Sequence, residues 1–217
     1  MSSTPSIEIL SGLGLESLVG ERSFQPDAEG SLHSQLDGRV IAASPEMLGS
    51  LRQVLEAERP GSWAAVVKSA GSSWGRKFAA SLDARLTTIS KPILSELPLE
   101  ACLVFLEHHF GRNGLGRLKL DLARAAEHGL VIATLDNSIF AALMKGQPGF
   151  ADPLAAGILQ GFFEHISGQG LGCGEIECAA QGAARCTFVI TAPERLEAVA
   201  DLVGVETAAV IITRMCT

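Results

Sequence analysis

Two stretches of period-two patterning, each folding back after a short connection, most restrict the architecture open to this chain. Arg117-Leu-Lys-Leu-Asp-Leu122 alternates polar with apolar residues, and Leu130-Val-Ile-Ala-Thr-Leu135 follows a turn at Glu127-His128-Gly129. Such a pattern makes an antiparallel pair with one buried face. Farther on, Leu171 to Cys178 and Cys186 to Thr191 read as a second pair around a turn at Gln181-Gly182. Strands that pair as sequence neighbours and are separated by helices predict an α+β fold, an antiparallel sheet packed with helices, rather than a parallel-sheet α/β fold.

The helices announce themselves by caps and spacing. Ser44 caps a helix with Pro45 at its first position and Glu46 near the positive end of the dipole. Met47, Leu48, Leu51, Val54 and Leu55 follow helical spacing, and Glu58-Arg-Pro-Gly61 breaks it. A second helix carries Trp63, Val66, Val67, Trp74, Phe78 and Leu82, and its centre, Ala70 to Gly75, is built of small residues around Trp74. That run serves either close approach of another helix or room for a flat ligand beside Trp74. Pro98 to Phe110 forms a third, with His108 and His109 near its end, where the dipole favours histidine. Asp152-Pro153 opens a fourth, whose Gly157 and Gly161 allow close packing and whose stripe includes Phe162, widened by Phe163. Pro193 opens another through Gly204, and the final Val205 to Thr217 suits a strand or a helix. An Asp37-Gly38 step marks an early hairpin. Residues 1–30, Ser/Gly/Glu-rich, read as a loosely held N-terminal extension with a short helix near Leu13–Val19. Residues 31–217 read as one ligand-binding domain.

Composition narrows the function. Asp plus Glu number 24 against 17 Lys plus Arg, a net charge of −7, which argues against a nucleic-acid partner. There is no tyrosine, so a tyrosyl acid or radical is excluded. The N-terminus lacks a basic region and a long apolar core, and no apolar run approaches the roughly 20 residues a membrane span needs. The expectation is a cytoplasmic protein with reduced thiols. Its five cysteines, 102, 173, 178, 186 and 216, are too irregular for a disulfide framework, and Cys102 and Cys216 read as small buried hydrophobes.

Most chemistry gathers between Gly174 and Phe188. Glu175, Cys178 and Cys186 follow E-x2-C-x7-C. Two thiolates brought together across a hairpin, with a carboxylate on the incoming strand, supply three of the four ligands zinc needs. Neighbouring strand positions face opposite ways, so Glu175 and Cys178 converge only through a bulge or a strand end. Buried hairpin cysteines without metal are the alternative.

From Asp152 to Ile190 the chain resembles the 4-vinyl reductase domain. Gly157, Phe162-Phe163, Glu175-x2-Cys178, Gly182 and Cys186-x-Phe188 carry the likeness. Asp37 to Val40, Ser44 to Leu55 and Ala70-Gly71-x2-Trp74-Gly75 fit its early elements. The resemblance implies a ligand-binding α+β fold, often dimeric, shared with sensory domains of aromatic-responsive transcription activators and with vesicle-tethering subunits. It implies a zinc held by three cysteines and a glutamate, with Glu175, Cys178 and Cys186 as three ligands. The fourth position is Asp152 here, a helix cap that can also ligate zinc, and Cys173 is a substitute. Replacing a thiolate by a carboxylate adds a hard ligand and weakens zinc selectivity.

Three functions follow. The first is a carrier or assembly factor binding a hydrophobic molecule, a tetrapyrrole or an aromatic, in a bacterial pathway such as bacteriochlorophyll synthesis. The ligand would lie between the Trp74 helix and the Phe162-Phe163 helix, with His108, His109 or His165 placed to ligate a porphyrin metal. The expected partners are that molecule and a second copy of the chain. The second is a vinyl reductase, for which no dinucleotide, flavin or iron–sulfur motif is present. The third is a protein–protein assembly or scaffold subunit.

Overall fold

Backbone meets backbone where two long helices cross at the centre of the computed structural model, which describes residues 7–19, 26–34, 38–147 and 149–217. Helix α3 (Trp63–Thr88) and helix α7 (Pro153–Ser167) touch through Gly71 and Gly75 on one and Gly157 and Gly161 on the other. A Cβ built on Gly71 would lie 3.1 Å from Gly157 Cα, and one on Gly75 3.0 Å from Ile158 C and Phe162 N. On Gly157 it would stand 2.8 Å from Ser72 N. Glycines four apart lie on one helix face, so the two pairs form facing grooves. The small-residue run beside Trp74 is therefore filled by the backbone of α7, and the room for a flat ligand expected between these helices is closed there.

Around this pair the chain lays down helices α1 (Ile7–Gly12), α2 (Pro45–Glu58), α4 (Leu99–Arg112), α5 (Ala125–His128), α6 (Ile139–Leu143), α8 (Pro193–Glu197) and α9 (Ala208–Met215). A four-stranded sheet, β3 (Arg117–Asp121), β4 (Val131–Asp136), β5 (Gly172–Glu177) and β6 (Cys186–Thr191), has the order β3-β4-β6-β5 and is antiparallel throughout. A small hairpin, β1 (Leu32–Ser34) with β2 (Gly38–Val40), stands apart. Gly38 has a φ of 73°, and Asp37, the other half of the expected turn, lies outside the described residues. The fold is α+β.

The sheet is covered on both faces, which is why every residue of β6 is buried. On one face lies the main core, with Phe105, Phe110, Phe162 and Phe188 fully enclosed. On the other, Leu130, Ile132, Ile176 and Val189 meet Val199, Ile211 and Met215 from the C-terminal segment. That second layer explains the chain's end. The helix expected from Pro193 to Gly204 stops at Glu197, and three-residue turns at Val199, Ala200 and Leu202 replace its ladder while Val199 enters the cluster. The undecided final segment is helix α9, capped by Thr207, whose hydroxyl accepts the Val210 N–H.

Two further expectations change. The N-terminal segment is not loosely held over its described part: Leu10, Leu15 and Val19 are buried in the main core, and Lys91 Nζ donates to Leu13 O at 2.7 Å. Helix α2 is capped by Ser44 as expected, yet of its stripe only Leu48 and Leu55 are half-buried. Met47, Leu51 and Val54 are exposed, because α2 rests on its neighbours through one narrow side. Among the described residues no helix is long and apolar enough to cross a membrane.

Candidate functional site

Register decides whether Glu175 and Cys178 can share a target. Three residues apart on a regular strand, they face opposite sides of the sheet. The β5–β6 ladder pairs Glu175 with Phe188 but Glu177 with Thr187, so Ile176 is an extra residue, a bulge. A bulge flips the alternation after it, and Glu175 and Cys178 come to one side. The Ala179–Gln181 turn of 3-10 helix, closed by Gly182 at a φ of 96°, then brings Cys186 back opposite. One ligand atom each from Glu175, Cys178 and Cys186 lies within 4.8 Å of the others.

The surroundings suit a cation. Both cysteines are buried and Glu175 is half-buried. The Ala151 N–H donates to Cys178 Sγ at 3.4 Å, and the Ala179 N–H to Cys186 Sγ at 3.5 Å. Glu175 Oε2 accepts the Asp152 N–H at 2.9 Å, while Oε1 is buried with no hydrogen-bond partner among the described residues. Burial pushes the Glu175 carboxyl up to about 9, against the pull of the Asp152 N–H. A hydrogen bond from Cys186 draws the Cys178 thiol below its ordinary range and pushes that of Cys186 above it. An orphaned carboxyl oxygen beside two sulfurs is a donor set that zinc accepts.

Asp152 borders this group without joining its three converging atoms. It is buried at the cap position of α7, and its carboxylate takes the Ser138 hydroxyl in a short hydrogen bond. Ser138 Oγ in turn accepts the Ala141 N–H and caps α6. Burial pushes Asp152 up to about 7, with the Ser138 bond opposing. Cys173 is fully buried outside the group, its thiol raised to about 12 by burial.

The aromatic residues anticipated as a ligand site assemble differently from expectation. Phe78 stacks on His109 with ring centroids 3.8 Å apart and on Phe162 at 5.8 Å. Trp74 meets His109 edge-on at 5.1 Å, and Phe163 meets Phe162 edge-on at 5.9 Å. The histidine in this cluster is His109, buried in the core and held by Asn113 at 3.3 Å, not His108. One residue turns a helix by about 100°, which carries His108 into an open groove of about 840 Å³ with Glu107, Arg112, Arg117 and Asp136. His165 is bound to Asp83 at 2.7 Å, tying α7 to α3.

Comparison with known proteins follows the same geography. Residues 131–192, from β4 through β6, match the family model of the 4-vinyl reductase domain, and that span contains Asp152, Glu175, Cys178 and Cys186. The fold is similar to the crystal structure of the phenol-responsive sensory domain of the transcription activator PoxR with phenol, at TM-score 0.63 and 20% identity over 91% of this chain and 98% of that one. It is also similar to a vinyl-4-reductase family protein from Methanocaldococcus jannaschii, at TM-score 0.50 and 17% identity over 88% and 98%. Among curated proteins none matches.

Proposed function

We propose that this protein, a member of the 4-vinyl reductase domain family, is a small-molecule-binding module of the sensory type, which takes an aromatic ligand at the Trp74–Phe78–His109–Phe162 cluster and carries a zinc centre at its β5–β6 hairpin. The observation that carries the reading is His109. A polar ring buried among Trp74, Phe78 and Phe162 offers orientation to a hydroxyl in an otherwise apolar place, the usual composition of a small-molecule site. The neighbouring fold crystallised with phenol supports the ligand class. Close packing of α3 on α7 favours a single-ring aromatic over a tetrapyrrole, since no gap exists between their glycines. Phe163 forms the far wall. His108 serves the outer groove.

Glu175, Cys178 and Cys186 would hold the zinc, with Asp152 the carboxylate nearest to a fourth position. When bound, the ion supplies a cross-link between hairpin and helix and charge balance for the buried Glu175. Asp152 orients Glu175 through its own N–H and fixes α6 through Ser138. The homodimer is part of the same proposal, formed on the exposed Met47, Leu51 and Val54 side of α2. Light scattering of Leu51→Asp against the parent tests it, and identical masses refute it.

Phenol titration followed by tryptophan fluorescence tests the ligand. Trp63 and Trp74 are the two tryptophans. Saturable quenching is expected, lost in His109→Phe, which keeps the ring but not the polar edge. Equal affinity in parent and variant would sink the assignment.

A further inference from the structure

We propose that Cys178 and Cys186 form a reversible disulfide when the protein meets a peroxide. The proposal deepens the zinc reading of the same site by naming its regulation, and the chemistry itself requires no metal.

Register supplies the geometry. After the bulge, Glu177 pairs with Thr187. One step outward in the same antiparallel register, Cys178 and Cys186 stand directly opposite each other. Directly opposed residues in an antiparallel pair have Cα atoms about 4.5–5.5 Å apart, inside the roughly 4.4–6.8 Å range that a disulfide spans. Their sulfurs already lie within 4.8 Å, beside the Glu175 carboxylate. No backbone movement is needed to bring them into bonding distance.

Access supplies the oxidant. An open cleft of about 500 Å³, walled by Gly149, Phe150, Glu177 and Gln181, reaches Cys178. Cys102 and Cys173 differ. Each is enclosed in the main core, and Cys102 Sγ is committed to Leu94 O at 3.3 Å. Cys216 is half-buried at the far end of the chain. The reactive order is thus Cys178 first, Cys186 as its resolving partner.

The Cys178 sulfur attacks one peroxide oxygen. The O–O bond breaks, hydroxide leaves, and a sulfenic acid remains. Cys186 then attacks that sulfur, the S–S bond forms, and the sulfenyl oxygen leaves as hydroxide. The two thiol protons turn both hydroxides into water. Two sulfurs are oxidised and one peroxide is reduced. Because both sulfurs leave the ligand set together, a bound zinc would be left with carboxylates alone and be released.

The experiment treats the full chain with hydrogen peroxide, blocks remaining thiols with iodoacetamide and maps peptides by mass. One sample is zinc-free and one is zinc-loaded with a chromogenic chelator present. The expected result is two of the five thiols lost, one cross-linked peptide joining Cys178 to Cys186, full reversal by dithiothreitol, and one zinc released per bond. Cys216→Ser should behave as the parent. Cys178→Ser should lose the cross-link, and the parent peptide map decides the matter even if that variant fails to fold. Both thiols alkylating normally after peroxide, or a bond to another cysteine, overturns the proposal. A disulfide without any zinc uptake keeps it and refutes the zinc reading. Zinc retained with both thiols intact does the reverse.

Discussion

Replacing Gly161 by alanine should lower stability sharply, although alanine is the better helix former. The added Cβ would lie 2.8 Å from Ser72 C and 3.0 Å from Ser72 Cα, with the Ser72 carbonyl oxygen nearer still. Ordinary contact begins near 3.4 Å. Every atom struck belongs to the backbone of α3, so no side chain can rotate away, and two helices must part. Overpacking of this kind costs about 1–3 kcal/mol, more where the surroundings are rigid. Helix propensity returns up to about 1 kcal/mol. The net loss is about 2 kcal/mol, or a fall of roughly 4–8 °C in Tm for a chain of this size. Gly49→Ala is the matched control, since Gly49 lies inside α2 and its added Cβ meets nothing within 4 Å. That variant should gain as much as about 1 kcal/mol from propensity alone. Thermal melts by circular dichroism, with urea melts to confirm an unchanged m-value, compare the two. A Gly161→Ala protein melting at or above the parent would refute the reasoning, and so would equal shifts in both variants.

Further expectations concern the site and the sheet edge. Zinc should raise the Tm of the metal-free protein, because a ligand at a thousand times its Kd adds about 4 kcal/mol; an unchanged melt with a saturating excess of zinc denies the centre. Asp152→Asn keeps the shape of a protonated Asp152 and should leave the metal-free Tm within a few degrees while weakening zinc uptake. Equal zinc affinity, measured by competition with a chelator, would remove Asp152 from the ligand set. Glu107 offers a pH test away from the metal centre. Burial raises its carboxyl from 4.5 to about 7, against the pull of the Leu120 N–H. Folded Glu107 therefore holds a proton that the unfolded chain has released, so its contribution is full below about pH 4.5 and lost as pH rises through 7. After discounting for partial exposure, the loss is about 1–2 kcal/mol. Glu107→Gln should flatten this slope in urea melts between pH 5 and pH 8, and parallel slopes for parent and variant contradict it.

Legibility in the sequence followed the range of the interaction. Helix starts at Ser44-Pro45 and Asp152-Pro153 and the two antiparallel pairs depend on neighbours along the chain, and all appear where the pattern places them. The glycine pairs were legible as a choice between two uses, which the facing glycines of α3 and α7 resolve. The α2 stripe misled because periodicity reports which residues share a face, not whether anything covers it. The C-terminal helix shortened because the back of the sheet required Val199, a demand that no local propensity records.

The histidine pair shows where a stronger signal lay unread. In α4 the residues from Ala101 to Leu106 are buried all round, so a stripe discriminates poorly there. Toward the end of the helix it regains meaning, for Cys102, Leu106 and His109 stand at steps of four and three along one line, the line that faces the core. His108 falls about 100° away. Applied to the last turn alone, the same spacing rule that located the helix selects His109 as the buried ring and leaves His108 to the groove. The metal centre needed one fact more. Odd spacing between Glu175 and Cys178 is incompatible with a regular strand that brings both to one side, so shared ligation requires a bulge between them. The irregularity at Ile176 is therefore the structural condition for the site rather than a defect in the sheet.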